Sequence, residues 1–225
     1  MSKYVIVFSK TGYAKYTSHL DINRLFRRSI RKQGINLAYS QGFNPHPKMG
    51  FAQPLSLGYA AERELLEIET TESYQTWFLK DKLQEVMPEG IHIIDVKTLD
   101  ESIKSLAAMV DYAVYEVSIP IEGSIGDING LASGYLGQDK IMALKQNKKK
   151  KETTSVDIKN KIRKLELEMV NNNIFMKMTL DSGSLSNLSP ELVISTFLSY
   201  SRLNIERSRI DVTRKEIGFN RPLDL

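Results

Sequence analysis

The sequence predicts an α+β protein built from two tandem ferredoxin-like units, each running β-α-β-β-α-β. Three observations lead there. Apolar residues alternate in short β-branched stretches and recur every three to four residues in longer ones, which separates strands from helices. That alternation of periods traces the split-βαβ order over residues 1–99 and again over 110–225, with no residue-by-residue self-similarity. In each half an unusual segment falls between the second and third strands: a Pro/Gly-rich loop at 39–58 and a Lys-rich loop at 145–161.

The first strand is Lys3 to Lys10, KYVIVFSK, ended by Thr11-Gly12. Ser18 stands before a helical pattern with Asp21 three residues on, so it is the expected N-cap of a helix from about His19 to Gln33, stopped by Gly34. On that helix Ile22, Leu25, Phe26 and Ile30 share one face, while Arg24, Arg27, Arg28 and Arg31 share the opposite one. Ile35 to Tyr39 reads as a short strand, Arg63 to Thr70 as the next, and Glu72 to Met87 as a helix carrying Trp77, Phe78, Leu83 and Val86. Ile91 to Val96 closes the first unit, with His92 as a packed or edge histidine.

Asp100 to Met109 reads as a short linking helix. The second unit then follows: strand Tyr112 to Ile119, helix about Ile125 to Leu136, strand Lys140 to Lys145, and a long strand ending in Phe175 to Leu180. Helix Pro190 to Tyr200, with Ser189 as N-cap and Pro190 at the favoured first position, leads to strand Ser208 to Arg214.

With 225 residues, 41% hydrophobic and 26% charged, the chain has the composition of a globular protein with a full core. No apolar run approaches the ~18 residues of a membrane span, and the N-terminus lacks a secretory h-region, so a cytoplasmic protein without membrane contact is expected. The absence of cysteine excludes disulfides, thiol catalysis, thiolate zinc sites and an iron–sulfur cluster held by this chain's own thiolates. His19, His46 and His92 form no metal-binding pair, and no nucleotide-loop or nucleophile-elbow motif occurs, so neither a cofactor nor catalytic residues are expected.

What remains is basic and aromatic. The net charge of +4 permits nucleic-acid binding without requiring it. The arginine face reads either as a solvated surface or as a set of phosphate contacts, for which the guanidinium is the best-suited cation. The usual acid one turn away is missing from its i,i+4 positions. The loop YSQGFNPHPKMGFAQPLSLG at 39–58 is stiffened by Pro45, Pro47 and Pro54 and shaped by Gly42 and Gly50. It reads either as a functional loop or as a structural flap in which Phe43 and Phe51 cap a sheet. Phe43, held between Gly42 and Asn44-Pro45, is expected to be buried. The lysines Lys148 to Lys151 read as a hairpin tip or as an unspecific phosphate attractor.

These features give one expected nucleic-acid site, in which Arg24, Arg28 and Arg31 supply phosphate contacts while Tyr39, Asn44, His46 and Lys48 supply shape and hydrogen bonds. An RNA-binding or substrate-presenting module is the first function expected. A metal-independent RNA endonuclease using His19 or His46 with Tyr39 and Lys48 is the second. A protein–protein adaptor that docks an acidic surface on the arginine face is the third.

The run TSHLDINRLFRRSIR from Thr17 to Arg31, the loop residues Tyr39-Ser40, Gly42-Phe43-Asn44-Pro45, Pro47 and Gly58, and Glu64 together resemble the radical SAM-linked protein family. This is a bacterial domain of unknown function encoded beside, or fused to, cobalamin-binding radical SAM proteins. In the second half Val156-Asp157-Ile158-Lys159 resembles a further element of that family, with Lys159 where arginine is commoner and Asn160 where proline is. The resemblance implies a cytoplasmic accessory role, a cobalamin-binding radical SAM protein as partner, and RNA as a ligand class. It supplies no reaction and no catalytic residues.

Overall fold

The computed structural model describes residues 1–100, 102–103, 105–123, 126–147 and 152–223. Within it lie two compact units, one formed by Met1–Val110 with Arg214–Leu225 and the other by Asp111–Thr213. Over the described residues the chain is α+β, with mostly antiparallel strands and four α-helices.

In the first unit β1 (Ser2–Lys10) is flanked by β4 (Ile91–Leu99) and β3 (Ala60–Thr70), both antiparallel to it. Its YVIVF stretch is buried on both faces, as a central strand's must be. Tyr4, Ile6 and Phe8 meet Ile22, Phe26 and Ile30 of α1 (His19–Lys32) and Leu79 and Leu83 of α2 (Thr76–Gln84). Val5 and Val7 meet Leu99, Ile103, Leu106 and Ile217 on the other face. Each of these aliphatic or aromatic side chains contributes about 1.5–3 kcal/mol on full burial. Arg214–Phe219 form the end of β10 (Asp211–Phe219), which lies beside β3. The expected division gave all of 110–225 to the second unit, whereas residues 214–223 group with the first.

Ser18 caps α1 as expected, its Oγ accepting from the Asp21 N–H at 3.2 Å and donating to the Asp21 carboxylate at 2.7 Å. Gly34, at φ +69°, turns the chain out of the helix, and Ile35 N–H donates back to Ile30 O at 3.1 Å.

The strand expected at 35–39 is a pair of isolated bridges instead. Asn36 and Ala38 make backbone hydrogen bonds with Thr71 and Glu69, and the chain then leaves the sheet and returns as β2 (Met49–Phe51), which pairs with Leu66–Ile68 of β3. One strand is thus split by an excursion at 39–48. Helix α2 is also shorter than the expected 72–87. Tyr4 Oη donates to Tyr74 O at 2.9 Å and accepts from Tyr74 N–H at 2.7 Å, which holds the segment before α2 in a non-helical course. Around 100–109 the described residues form turns, with Ile103 and Leu106 buried, where a helix was expected.

The second unit contains β5 (Val110–Pro120) from Asp111 onward, α3 (Ile128–Gly137), β6 (Met142–Asn147), β7 (Glu152–Asp157), β8 (Ile162–Val170), β9 (Asn173–Asp181) and α4 (Pro190–Ser201). β9 pairs antiparallel with β5 and β8, while β6 and β7 form a separate hairpin. The single long strand expected before Leu180 is therefore a hairpin. Asn171 and Asn172, at φ +46° and +59°, form its two-residue turn, a conformation asparagine tolerates better than most residues. Much of the expected loop at 145–161 belongs to β6 and β7. The Lys148–Lys151 cluster and Ile125, the expected start of α3, lie outside the described residues.

Candidate nucleic-acid interface

Because α1 buries Ile22, Phe26 and Ile30, its opposite face carries Arg24, Arg27, Arg28 and Arg31 into solvent. An acid is nevertheless at hand, at i,i+3 and not at i,i+4: Arg24 pairs with Asp21 at 3.1 Å. The Asp21 carboxyl is held below its ordinary range first by the Ser18 hydroxyl and then by Arg24 and Arg28. Arg27, Arg28 and Arg31 have no ion-pair partner among the described residues.

The excursion at 39–48 is a closed projection. Lys48 N–H donates to Ala38 O at 2.8 Å, Tyr39 bridges Pro47, and Ser40 N–H donates to His46 O at 2.9 Å. Ser40 Oγ also accepts from His46 N–H at 3.0 Å. These bonds form a stem, and the tip is Gln41 to Pro45, turned by Gly42 at φ +128°. Phe43 at the tip is fully exposed, at 112% of its reference surface, so the expectation of a buried Phe43 is overturned. The turn carries the ring into solvent, where no described residue covers it. Tyr39 is 54% exposed on the stem, and Asn44 and His46 are exposed as well.

Lys48, expected to contribute selectivity, makes an ion pair on the stem. Its ammonium pairs with Glu69 at 2.5 Å, and Lys3 approaches the same carboxylate at 3.6 Å. Burial pushes the Glu69 carboxyl up, but the hydrogen bond and charge of Lys48, aided by Lys3, outweigh it and leave the group below its ordinary value. Lys48 therefore fastens the stem to β3.

The stem thus gathers Tyr39, His46 and Lys48, with Asn44 at the tip, while Arg24, Arg28 and Arg31 sit on α1. Phe51, at the foot of the excursion, links the two elements. Its ring meets Phe8 and Phe26 at 6.0 Å each and His19 at 5.0 Å, all edge-on. The four groups named for RNA cleavage are distributed accordingly: His19 at the start of α1, Tyr39 and His46 on the stem, and Lys48 in an ion pair. His92 is exposed on β4. Among the described residues no group of His, Asp and Glu is arranged to hold a metal ion.

A buried ion pair holds the C-terminal side of the loop. Arg214 Nε and one terminal nitrogen bind the two oxygens of Glu64 at 2.7 and 2.5 Å, with side chains 1% and 3% exposed. The guanidinium also donates to Gln53 O at 2.8 Å and Pro54 O at 3.2 Å. Lys10 and His19 stand close by, and all of these but Arg214 and Pro54 line a small cavity with Phe8, Ile22, Phe51 and Leu55. Burial pulls the Lys10 ammonium below its usual value, with Glu64 opposing and Arg214 assisting. Burial does the same to His19, again opposed by Glu64 and assisted by Arg214 and Lys10. In the sequence Glu64 stands within the strand Arg63 to Thr70 and in a family motif, and Arg214 at the end of a strand, with no local pattern joining the two.

A family described as an uncharacterized protein conserved in bacteria (DUF2344) matches residues 3–190. No curated protein matches the sequence significantly. The fold is similar to that of a chain in a crystal structure of a Cbf5-Nop10-Gar1 complex, with a TM-score of 0.51 and 9% identity over 96% of this chain and 49% of that one. The present chain therefore spans about half the length of that neighbour, and the likeness concerns the fold alone. An unknown protein from Galdieria sulphuraria is matched over 95% of this chain and 98% of that one at 12% identity, with a TM-score of 0.28. No helix among the described residues is long and apolar enough to cross a membrane.

Proposed function

This chain belongs to that uncharacterized bacterial family, and we propose that it is a non-catalytic module that binds single-stranded RNA as the accessory of a radical SAM system. The observation that carries the reading is the fully exposed Phe43 at the tip of a hydrogen-bonded projection. An aromatic ring held in water by a rigid stem gains nothing for the fold, whereas it offers a ready stacking surface for an unpaired base. Tyr39 on the stem extends that surface, and Asn44 and His46 bring hydrogen-bonding groups to base edges. Arg27, Arg28 and Arg31, exposed on α1, supply the phosphate contacts together with Arg24.

The ferredoxin-like reading of the first unit is supported by its antiparallel neighbours, β4 beside β1, β1 beside β3 and β2 on β3. The cytoplasmic setting and the cobalamin-binding radical SAM partner rest on the Ser18-His19-Leu20-Asp21 and Gly42-Phe43-Asn44-Pro45 motifs. A chain without cysteine leaves any thiolate-held cluster to that partner.

The reading is tested by fluorescence anisotropy with a short labelled single-stranded RNA. Phe43→Ala is expected to weaken binding by about 1–3 kcal/mol, the worth of one stacked base. If wild type and variant bind alike, the projection is not the stacking surface. If the protein binds no RNA, yet is captured by the radical SAM protein after nuclease treatment, it is an adaptor.

A further inference from the structure

The charged group beneath the start of α1 has an imbalance that the RNA reading does not use. Lys10 is 3% exposed, and its ammonium donates to Lys15 O at 3.2 Å and Thr17 O at 2.9 Å. An ammonium has three protons to donate, so one remains. Lys10 has no ion pair with Glu64, whose two oxygens both accept from Arg214, although the Glu64 charge does act on the ammonium. Lys10 of β1 and Glu64 of β3 line the cavity, and Arg214 of β10 stands behind Glu64 without lining it, so that two cations and one anion act on the space.

His19 completes the set. Its ring stands edge-on to Phe51, and neither nitrogen has a hydrogen-bond partner among the described residues. The cavity between these groups measures about 10 Å³, room for a single oxygen atom. Phe8, Ile22, Phe51 and Leu55 wall it with apolar surface. Such walls strengthen any charge interaction inside, and an excess cation there favours an anionic visitor.

We propose that this cavity is a binding site for a phosphate group, which inserts one oxygen between the Lys10 ammonium and the His19 imidazole. The remaining phosphate oxygens stay at the mouth, where the carrier of the group, a nucleotide or free phosphate, is left in solvent. The site stands apart from the arginine face and does not need it. Since burial holds His19 below its usual value, a bound anion pulls its proton affinity back up, and phosphate binds more tightly as pH falls through that range.

The test uses the full chain labelled with ¹⁵N in its histidine side chains. It has three histidines, and His46 and His92 are exposed and lie outside the cavity, so they serve as controls in the same spectrum. Titration with inorganic phosphate at constant ionic strength, against chloride, is expected to shift the His19 imidazole signals saturably and to raise the pKa of His19 by about one unit or more. His46 and His92 should respond as they do to chloride. A nucleoside 5′-monophosphate that acts at lower concentration than inorganic phosphate identifies a nucleotide-borne group, and equal potency identifies free phosphate. His19→Gln, at a half-buried position, keeps the fold and should weaken phosphate binding at least about tenfold by calorimetry. Lys10→Met should abolish it. A His19 signal indifferent to phosphate, or three histidines shifting in parallel, overturns the proposal.

Discussion

Replacing Arg214 by methionine removes the guanidinium from the most enclosed ion pair among the described residues, with side-chain exposures of 1% and 3%. The Glu64 carboxylate is then left in the interior without its two charged hydrogen bonds. The carbonyls of Gln53 and Pro54 lose their donors at the same time. Removing one member of such a pair costs about 3–5 kcal/mol. For a chain of 225 residues this corresponds to a melting temperature lower by roughly 6–20 °C. Thermal and urea unfolding by circular dichroism measure it. The double variant Arg214→Met/Glu64→Leu removes both charges and should be more stable than Arg214→Met alone, since apolar replacement of a buried pair is commonly neutral, while the carbonyls of Gln53 and Pro54 stay without their donors. A single variant that costs less than about 1 kcal/mol, or a double variant worse than either single one, would refute the argument that the pair is a buried and mutually dependent unit.

Other outcomes follow from local geometry. Phe43→Ala should leave the melting temperature within the range of ordinary surface changes, about ±0.5 kcal/mol, while weakening RNA binding; a large loss of stability would contradict the exposed placement. Gly90→Ala should cost more than about 1 kcal/mol in urea unfolding, because at φ +84° an added Cβ would lie 2.5 Å from Thr11 O and 2.8 Å from Ala14 Cβ. The Asp111 carboxyl is held low by its hydrogen bonds to Arg163, so the stability it contributes is complete above the unfolded value near pH ~4 and is lost as pH falls below it. Asp111→Asn should therefore flatten the fall of melting temperature below about pH 4, and parallel curves for variant and wild type would count against the pair.

Helix α1, its cap and its arginine face were legible because a long amphipathic segment displays its period directly, and Ser18, Asp21 and Gly34 mark its ends. The split second strand was not, since 36–38 and 49–51 are too short to show a period and meet only through β3. Asn171-Asn172 carried a turn signal that was masked by the apolar alternation on either side. Phe43 was misjudged because residue type and turn chemistry say that a ring is held but not where it points. The buried pair left a trace: Glu64 shares the inward phase of Leu66 and Ile68, and Arg214 that of Val212. The partners lie 150 residues apart, so neither could be assigned to the other from local pattern.

The claim that α1 and the projection together form an RNA surface is met most directly by the salt dependence of binding. Affinity for a single-stranded RNA is to be measured from low to physiological salt for the wild type and for Arg24→Ala/Arg28→Ala/Arg31→Ala. Each phosphate contact on a single strand contributes about 0.7 to the slope of log affinity against log salt. Loss of three contacts should lower that slope by about 2. A triple variant with the wild-type slope, or a wild-type protein whose binding ignores salt, would show that the arginines of α1 are a solvated face and not a nucleic-acid contact.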